Sequence, residues 1–596
     1  MIKKLIKKNF GSFAYFYANL RYRIFIVFGL SVLIGVLDGL GLTMFLPLLQ
    51  MMSDSGETES EDLGRIEYLV NFLNLIGLEL NLLTILLFMV FFFLAKGVVQ
   101  YIAAIYKVHV QQNFITKLRN KTLKGLNRLS YKYFVMSDAG RIQNTLTGEI
   151  GRVSNAYNNY LLSFQQGVLV VVYMAFAFYV DAQFAVLVSV GGVLTNFLYK
   201  NLYKNTKGAS RKLTGESNFF QSLIIQNVAN YKYLKATGSL KKYGEKLSSS
   251  IRQIEKNNKR IGKLSAIMTS AREPILVIVV VSVIYIQVSL LGSELGPILM
   301  SLLFFYRALT YLMQMQVSWN KFLGFAGSLE NVMDFENELK ENKENTGKKE
   351  FQKSVEELTL SNVEFIYGKT LVLDKIDLSV SRHETVAFVG ESGSGKTTLV
   401  NILAGLLPVE KGNFYINGVK SGNWNIPSFQ NKVGYITQDS VIFNDTVYNN
   451  VTFWAERTES NMQRFKEAID KAEISTFVES FPEKEDTTLE NNGINLSGGQ
   501  KQRISIAREL FKEVEILILD EATSALDSET ERAIQENIDA LKGEYTILIV
   551  AHRIATIKNA DRIVVMQNGK ISSIGSFSEL LVESPYFKKL VELQEV

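Results

Sequence analysis

The sequence predicts a multi-domain chain: an all-α transmembrane domain of six helices with long cytoplasmic extensions, followed by an α/β domain built around a phosphate-binding loop. Three observations predict it. Six long apolar runs all lie before residue 320. The segments between them alternate between basic and base-poor. A glycine-rich loop sits between a β-rich run and an apolar helix start at 385–400. The implied division is a membrane domain over 1–334, a linker over 335–353 and a nucleotide-binding domain over 354–596.

The apolar runs come first. They lie near 24–49, 82–106, 161–179, 184–199, 275–291 and 295–313. About 20 apolar residues cross a bilayer as a helix, and these runs are near that length or slightly short. The mean hydropathy of +0.10 is that of a chain with one apolar half. Orientation follows from the flanks. Lys3, Lys4, Lys7, Lys8, Arg21 and Arg23 precede the first run, and Lys107, Lys117, Arg119, Lys121, Lys124 and Arg128 follow the second. The segment 51–81 between them holds a single base, Arg65, among seven acids. Excess Lys and Arg marks the cytoplasmic side. We therefore expect six crossings of the cell inner (cytoplasmic) membrane, with the N-terminus and the second half in the cytoplasm. No cleavable signal peptide is read at the start.

Two cytoplasmic segments, 107–160 and 200–272, are too long for ordinary loops and almost free of proline. They read as long helices projecting from the membrane. The external stretch 63–78 reads either as a short amphipathic helix on the membrane surface or as a packed connector. Near 335–353 the composition turns charged, as a linker does.

Composition excludes several chemistries. There is no cysteine, hence no disulfide, thiolate metal site or cysteine nucleophile. Only His109, His383 and His552 are present, so a multi-histidine metal site is not expected. A net charge of +5 gives no concentrated basic footprint for nucleic acid.

In the second half, Thr385-Val386-Ala387-Phe388-Val389 precedes Gly390-Glu391-Ser392-Gly393-Ser394-Gly395-Lys396-Thr397-Thr398. This matches G-x-x-x-x-G-K-[ST] in its strand–loop–helix setting. Glycines let backbone N–H groups converge on phosphate at the positive end of a helix. Lys396 reaches the β- and γ-phosphates, and Thr397 can ligate Mg²⁺. A glycine turn without a ligand gives no reason for a lysine and a hydroxyl at this spacing. ATP with Mg²⁺ is the implied ligand. Further on, Ile516-Leu517-Ile518-Leu519 is an apolar strand ending in Asp520 and Glu521. Acids at such a strand end face the ligand in open α/β sheets. Asp520 suits the Mg²⁺ shell, and Glu521 suits positioning or deprotonating the attacking water.

Between these elements stands Leu496-Ser497-Gly498-Gly499-Gln500. Placed there, it resembles the signature of ABC-type ATPases. Other residues match that family in order. Tyr367 resembles the aromatic that stacks on adenine. Gln438 resembles the glutamine that senses Mg²⁺. Ser524-Ala525-Leu526-Asp527 resembles the dimer-contacting loop, and His552 resembles the switch histidine on the γ-phosphate. The resemblance covers about 358–593. One departure stands out: the exporter-type V-G-E-x-G-like stretch reads Leu489-Glu490-Asn491-Asn492-Gly493, with Asn491 in place of the usual acid.

Six crossings ahead of one such ATPase resemble a bacterial exporter half-transporter. The resemblance implies that ATP is sandwiched between one subunit's phosphate loop and another's signature, so a second copy of the chain is expected as partner. It also implies coupling helices near 137–143 and 217–225. Charges within the crossings bear on substrate: Asp38, Lys96 and Arg307. Lys96 and Arg307 suit an inward cavity for an anion, while Asp38 with Lys96 equally suits a structural pair. Asp38-Gly39-Leu40-Gly41-Leu42 with Pro47, Lys96, Arg272-Glu273 and Tyr306-Arg307 resemble a subgroup that includes flippases of lipid-linked oligosaccharides. The expected function is export of an amphipathic anionic lipid. The alternatives are a multidrug or hydrophobic-lipid exporter, a peptide exporter (disfavoured without a cysteine peptidase) and a non-transporting membrane-anchored ATPase.

Overall fold

A computed structural model describes residues 2–45, 81–180, 182–286, 289, 295–490, 493–520, 532, 535–536, 538–551 and 553–593. They fall into two compact units, Met1–Leu129 with Met136–Lys343, and Ser130–Val135 with Glu344–Val596.

The first unit is helical. Its helices are α1 (Ile2–Leu20), α2 (Arg23–Thr43), α3 (Leu82–Leu126), α4 (Tyr131–Met136, of which only the last residue belongs here), α5 (Ala139–Asn144), α6 (Ile150–Val180), α7 (Ala182–Ala229), α8 (Tyr231–Ala236), α9 (Leu240–Tyr285), α10 (Leu295–Leu323) and α11 (Ala326–Glu341). Each apolar run lies at least in part on one of these helices. Among the described residues, four helical stretches are long and apolar enough to cross a membrane: Arg23–Thr43, Leu82–Leu126, Ala139–Tyr179 and Leu240–Tyr285. The possible surface helix at 63–78 lies outside the described residues.

The long helices answer the length argument directly. α3, α7 and α9 have 45, 48 and 46 residues. At 1.5 Å per residue each is about 70 Å long, more than twice the hydrocarbon thickness of a bilayer. The polar segments 107–126 and 200–229 are therefore continuations of apolar helices. α9 runs unbroken through Pro274. The helical elements depart from expectation in two places. The stretch 217–225 is interior to α7, and the separate short helix is α8, after the break at Asn230. Residues 335–341 are the end of α11, with Phe335 and Leu339 buried at i, i+4 spacing beneath a charged face.

Aromatic packing joins the unit. Phe16 of α1 meets Phe114 of α3 and Tyr157 and Tyr160 of α6, with ring centroids 5.0–5.9 Å apart. Trp319 and Phe322 of α10 close onto Tyr160. On α3, Leu87, Phe91, Leu94 and Val98 are exposed. An apolar outer face of this kind suits hydrocarbon as solvent.

The second unit has two sheets. β1 (Glu357–Tyr367), β2 (Thr370–Ser381), β4 (Lys411–Ile416) and β5 (Val419–Lys420) form an antiparallel sheet in the order β2-β1-β4-β5. β3 (Thr385–Val389), β6 (Val433–Ile436), β7 (Ile516–Asp520), β8 (Thr546–Val550), β9 (Arg562–Gln567) and β10 (Lys570–Gly575) form the other, in the order β10-β9-β3-β8-β7-β6. Its strands are parallel except for β10 at one edge. β3 and β8 are buried at every residue. That is why they read as continuous apolar runs rather than alternating ones. α12 (Lys396–Leu403) follows β3, and α13 (Gly498–Phe511) precedes β7. The segment 130–135 belongs to this unit: Lys132 is ion-paired with Glu410, and its ammonium lies 5.1 Å from the Phe365 ring centre.

Candidate functional site

The loop after β3 is shaped by backbone conformations that need glycine. Gly390 and Gly395 have φ of +148° and +102°. A Cβ at Gly390 would stand 2.2 Å from the Met566 carbonyl oxygen, and one at Gly395 would stand 2.8 Å from Leu373 Cδ2. Both torsion and space therefore exclude side chains there. Lys396 begins α12 and is only 5% exposed. Its ammonium donates to the carbonyls of Gly390 (2.8 Å) and Glu391 (3.0 Å), folding back over the loop. Ser394 Oγ is buried with no hydrogen-bond partner. A backbone cradle, a buried cation and an orphaned hydroxyl fit a polyphosphate. Ser392 and Gly393 lie at the exposed rim, with Thr398 half-buried behind them.

Asp520, at the carboxyl end of β7, comes to the same place. Thr397 Oγ1 donates to Asp520 Oδ1 at 3.3 Å. Tyr435 Oη donates to Asp520 Oδ2 at 2.9 Å and lies 3.0 Å from Asn401 Oδ1 of α12. One phenolic proton serves one acceptor best, and the carboxylate is the stronger. Burial, and then the Asp520 charge and hydrogen bond, push the Tyr435 phenol well above its ordinary range. Hydroxyl and carboxylate oxygens of Thr397 and Asp520 are the hard donors that Mg²⁺ takes. Tyr435 and Asn401 were not singled out in the sequence. The available signal was Tyr435, three residues before Gln438, but a tyrosine in a strand reads as packing.

The signature segment forms the start of α13. Ser497 Oγ accepts from the Gln500 backbone N–H (3.3 Å), and Gln500 Oε1 accepts from the Ser497 N–H (2.8 Å), a capping box. Leu496 and Gly499 are buried, while Ser497 and Gly498 are exposed. The helix start therefore faces outward from this chain. Its other end is anchored by buried Arg508, which donates to the carbonyls of Asn450 (2.6 Å) and Val441 (2.8 Å). Burial lowers the Arg508 pKa from its ordinary value. Gln438 is exposed after β6. Tyr367 ends β1, half-buried, edge-on to Phe365 at 4.9 Å. Glu521, Asp527, His552 and Asn491 lie outside the described residues. The structure thus brings Lys396, Thr397 and Asp520 together around the loop.

In the helical unit, Asp38 of α2 is 1% exposed and pairs with Lys96 of α3 at 2.5 Å. The Tyr173 phenol of α6 donates to the other Asp38 oxygen, and the Tyr173 ring stacks on Tyr311 of α10 at 5.3 Å. Asp38 and Lys96 therefore neutralise each other. Arg307 is half-buried on α10 and has no ion pair or hydrogen bond among the described residues. Nearby in sequence, a groove of about 740 Å³ is lined by Val32, Phe164, Gly167, Val171, Met315 and Trp319, among others. Val172 also lines it, next to Tyr173.

Comparison with known proteins gives consistent matches. The family described as "ABC transporter" matches residues 373–524, and the "ABC transporter transmembrane region" matches 24–317. An ATP-dependent lipid A-core flippase of Ralstonia nicotianae is 29% identical over 84% of this chain and 85% of its own length. Its namesake in Desulfotalea psychrophila is 29% identical over 86% of this chain and 90% of its own. The heterocyst differentiation ATP-binding protein HepA of Nostoc sp. is 29% identical over 84% and 82%. A solved bacterial Atm1-family ABC exporter with ATP bound superposes with a TM-score of 0.77 at 21% identity, covering 97% of this chain and all of that one.

Proposed function

The chain belongs to the ABC transporters, an ABC transporter transmembrane region fused to its ATPase domain, and from that premise we propose that it is an exporter in which two identical copies move an amphipathic anionic lipid from the cytoplasmic to the outer leaflet. The ATPase function and a multi-pass membrane location follow from family membership. Six crossings and an inner-membrane location are the reading that the charge bias supports.

In the proposed site, the 390–398 loop holds the triphosphate of ATP, with the Lys396 ammonium supplying charge and Tyr367 covering the adenine. Thr397 and Asp520, with Gln438, would hold Mg²⁺, which neutralises phosphate charge when bound. Glu521 orients and deprotonates the attacking water, and His552 answers to the γ-phosphate. Asp527 contacts the second copy. The exposed start of α13 supports the shared-site reading: its signature residues face away from their own chain. The partner's phosphate loop supplies the other face. Binding ATP favours the closed pair of ATPase domains, and loss of the γ-phosphate contacts releases it.

Arg307 carries the substrate proposal. Asp38 and Lys96 cancel, so of these three charges Arg307 is the one with no ion pair among the described residues, and it suits a phosphate-bearing head group. The apolar groove beside Val172 and Met315 suits the lipid chain. The flippase names of the relatives point the same way, and a lipid-linked oligosaccharide is the substrate we favour. ATPase assays in proteoliposomes test this. Stimulation by a polyprenyl-pyrophosphate sugar, lost in Arg307→Ala, supports it. Stimulation by uncharged drugs alone, unchanged in that variant, would replace it with a hydrophobic-compound exporter.

A further inference from the structure

We infer that the first unit carries a second anion site, a basic pocket between α3 and α11 that takes a small soluble oligophosphate. The pocket has a volume of about 460 Å³, within the range of small-molecule sites. Six cations line it: Lys117, Lys121, Lys124 and Arg128 from the end of α3 and just beyond, and Lys340 and Lys343 from α11 and its end. The first four are spaced i, i+4, i+7 and i+11, so they share one face. The lining carboxylate is Glu336.

Close packing puts the two basic rows face to face. A Cβ on Gly125 would stand 2.9 Å from Leu339 Cδ1 and 3.3 Å from Leu339 Cβ, so the glycine gives the buried Leu339 of α11 room to pack tightly on α3. A backbone bridge between Leu129 and Lys343 fixes the end of the pocket. Internal compensation is small. Glu336, 5% exposed, pairs with Lys121 at 2.8 Å. Lys117 donates to the Asn19 carbonyl at 3.3 Å. Glu338, on the same helix, is turned to Arg141 at 2.8 Å. Lys124, Arg128, Lys340 and Lys343 have no ion pair among the described residues. Like charges at i, i+3 and i+4 repel on a helix. A cavity that gathers them and pairs only one with an acid is built for a multivalent anion.

Position separates a soluble anion from a lipid head group. This step rests on the span reading, in which the apolar run of α3 ends near Tyr106. Lys117 lies 11 residues further, about 16 Å along the helix, and Arg128 about 33 Å. The head-group layer extends only about 5–8 Å past the hydrocarbon.

The test uses the full-length chain with Lys396→Ala, which disables the ATP site, in neutral phosphatidylcholine nanodiscs without Mg²⁺. Inorganic tripolyphosphate is titrated by microscale thermophoresis. Saturable binding is expected. It should weaken at least tenfold in Lys124→Gln/Arg128→Gln/Lys340→Gln and persist in Lys124→Arg/Arg128→Lys. Equal melting temperatures exclude misfolding as the cause. Absence of saturable binding, or equal binding in the triple variant, overturns the inference. So does stabilisation seen only with phosphatidylglycerol and lost in the triple variant, which would assign the pocket to lipid head groups. ATPase activity with Lys396 intact reports separately on the proposed ATP site.

Discussion

Tyr435 Oη donates to Asp520 Oδ2 at 2.9 Å, so the carboxylate that ends β7 is held from both sides, by this phenol and by the Thr397 hydroxyl. A hydrogen bond to a charged group contributes about 1.5–3 kcal/mol. If half of that acts in the transition state, Tyr435→Phe lowers kcat by about three- to tenfold. The Mg²⁺ concentration needed for half-maximal rate should rise several-fold, while metal-free nucleotide binding stays unchanged. A purely structural tyrosine would instead lower the melting temperature and metal-free binding together. The phenol's pKa is raised by burial first and then by Asp520. The fold therefore favours its neutral form, and that contribution is lost only above its ordinary value of about 10. The deficit should be equal at pH 6.5 and pH 9. Disappearance of the deficit by pH 9 would mean the phenol ionises in that range.

Lys396→Ala removes the buried ammonium that bridges the Gly390 and Glu391 carbonyls. We expect ATP affinity to fall at least tenfold and turnover to reach background. The freed carbonyls can turn to water or nucleotide, so stability should change by no more than about 1–3 kcal/mol. Equilibrium binding of a fluorescent ATP analogue reads the first effect and a thermal melt the second. Unchanged affinity would remove the phosphate loop from the proposed site.

The phosphate loop was legible because its geometry admits one residue type at Gly390 and Gly395, and that leaves a mark in sequence. Tyr435 left none: a half-buried strand tyrosine looks the same whether its hydroxyl meets water or Asp520. The expected coupling position at 217–225 failed for a related reason. α7 ends at Ala229 and resumes as α8 at Tyr231 with no proline or glycine at the break. The charged tail of α11 read as linker because Phe335 and Leu339 are two apolar residues among many acids and lysines. Asp38 and Lys96 were visible as charges, but which faces which depends on α2 lying beside α3.

Glu521 follows Asp520 directly, and Asp520 is already held by Thr397 and Tyr435. The proposed base therefore follows directly on a carboxylate that two hydroxyls hold in place. Glu521→Gln keeps shape and removes basicity. We expect steady-state ATPase to drop at least a hundredfold with ATP affinity retained. ATP-bound protein should accumulate with its two signature segments protected from solvent, as measured by hydrogen exchange at 496–500. Wild-type turnover in this variant would transfer the role of base elsewhere.

The Asp38–Lys96 pair makes the last prediction, and it separates stability from transport. Asp38 is 1% exposed and accepts from both Lys96 and Tyr173. Lys96→Ala strands a buried carboxylate, which in folded cores costs about 3–5 kcal/mol. Asp38→Asn/Lys96→Ala removes both charges and should recover most of that loss. Melting temperatures of the single and double variants in nanodiscs give the coupling directly. Arg307→Ala breaks no ion pair or hydrogen bond among the described residues, so its melting temperature should fall far less than that of Lys96→Ala while lipid-stimulated ATPase is lost. Additive losses in the Asp38/Lys96 cycle would mean the two residues act independently. Lys96 would then return to consideration as a substrate contact alongside Arg307.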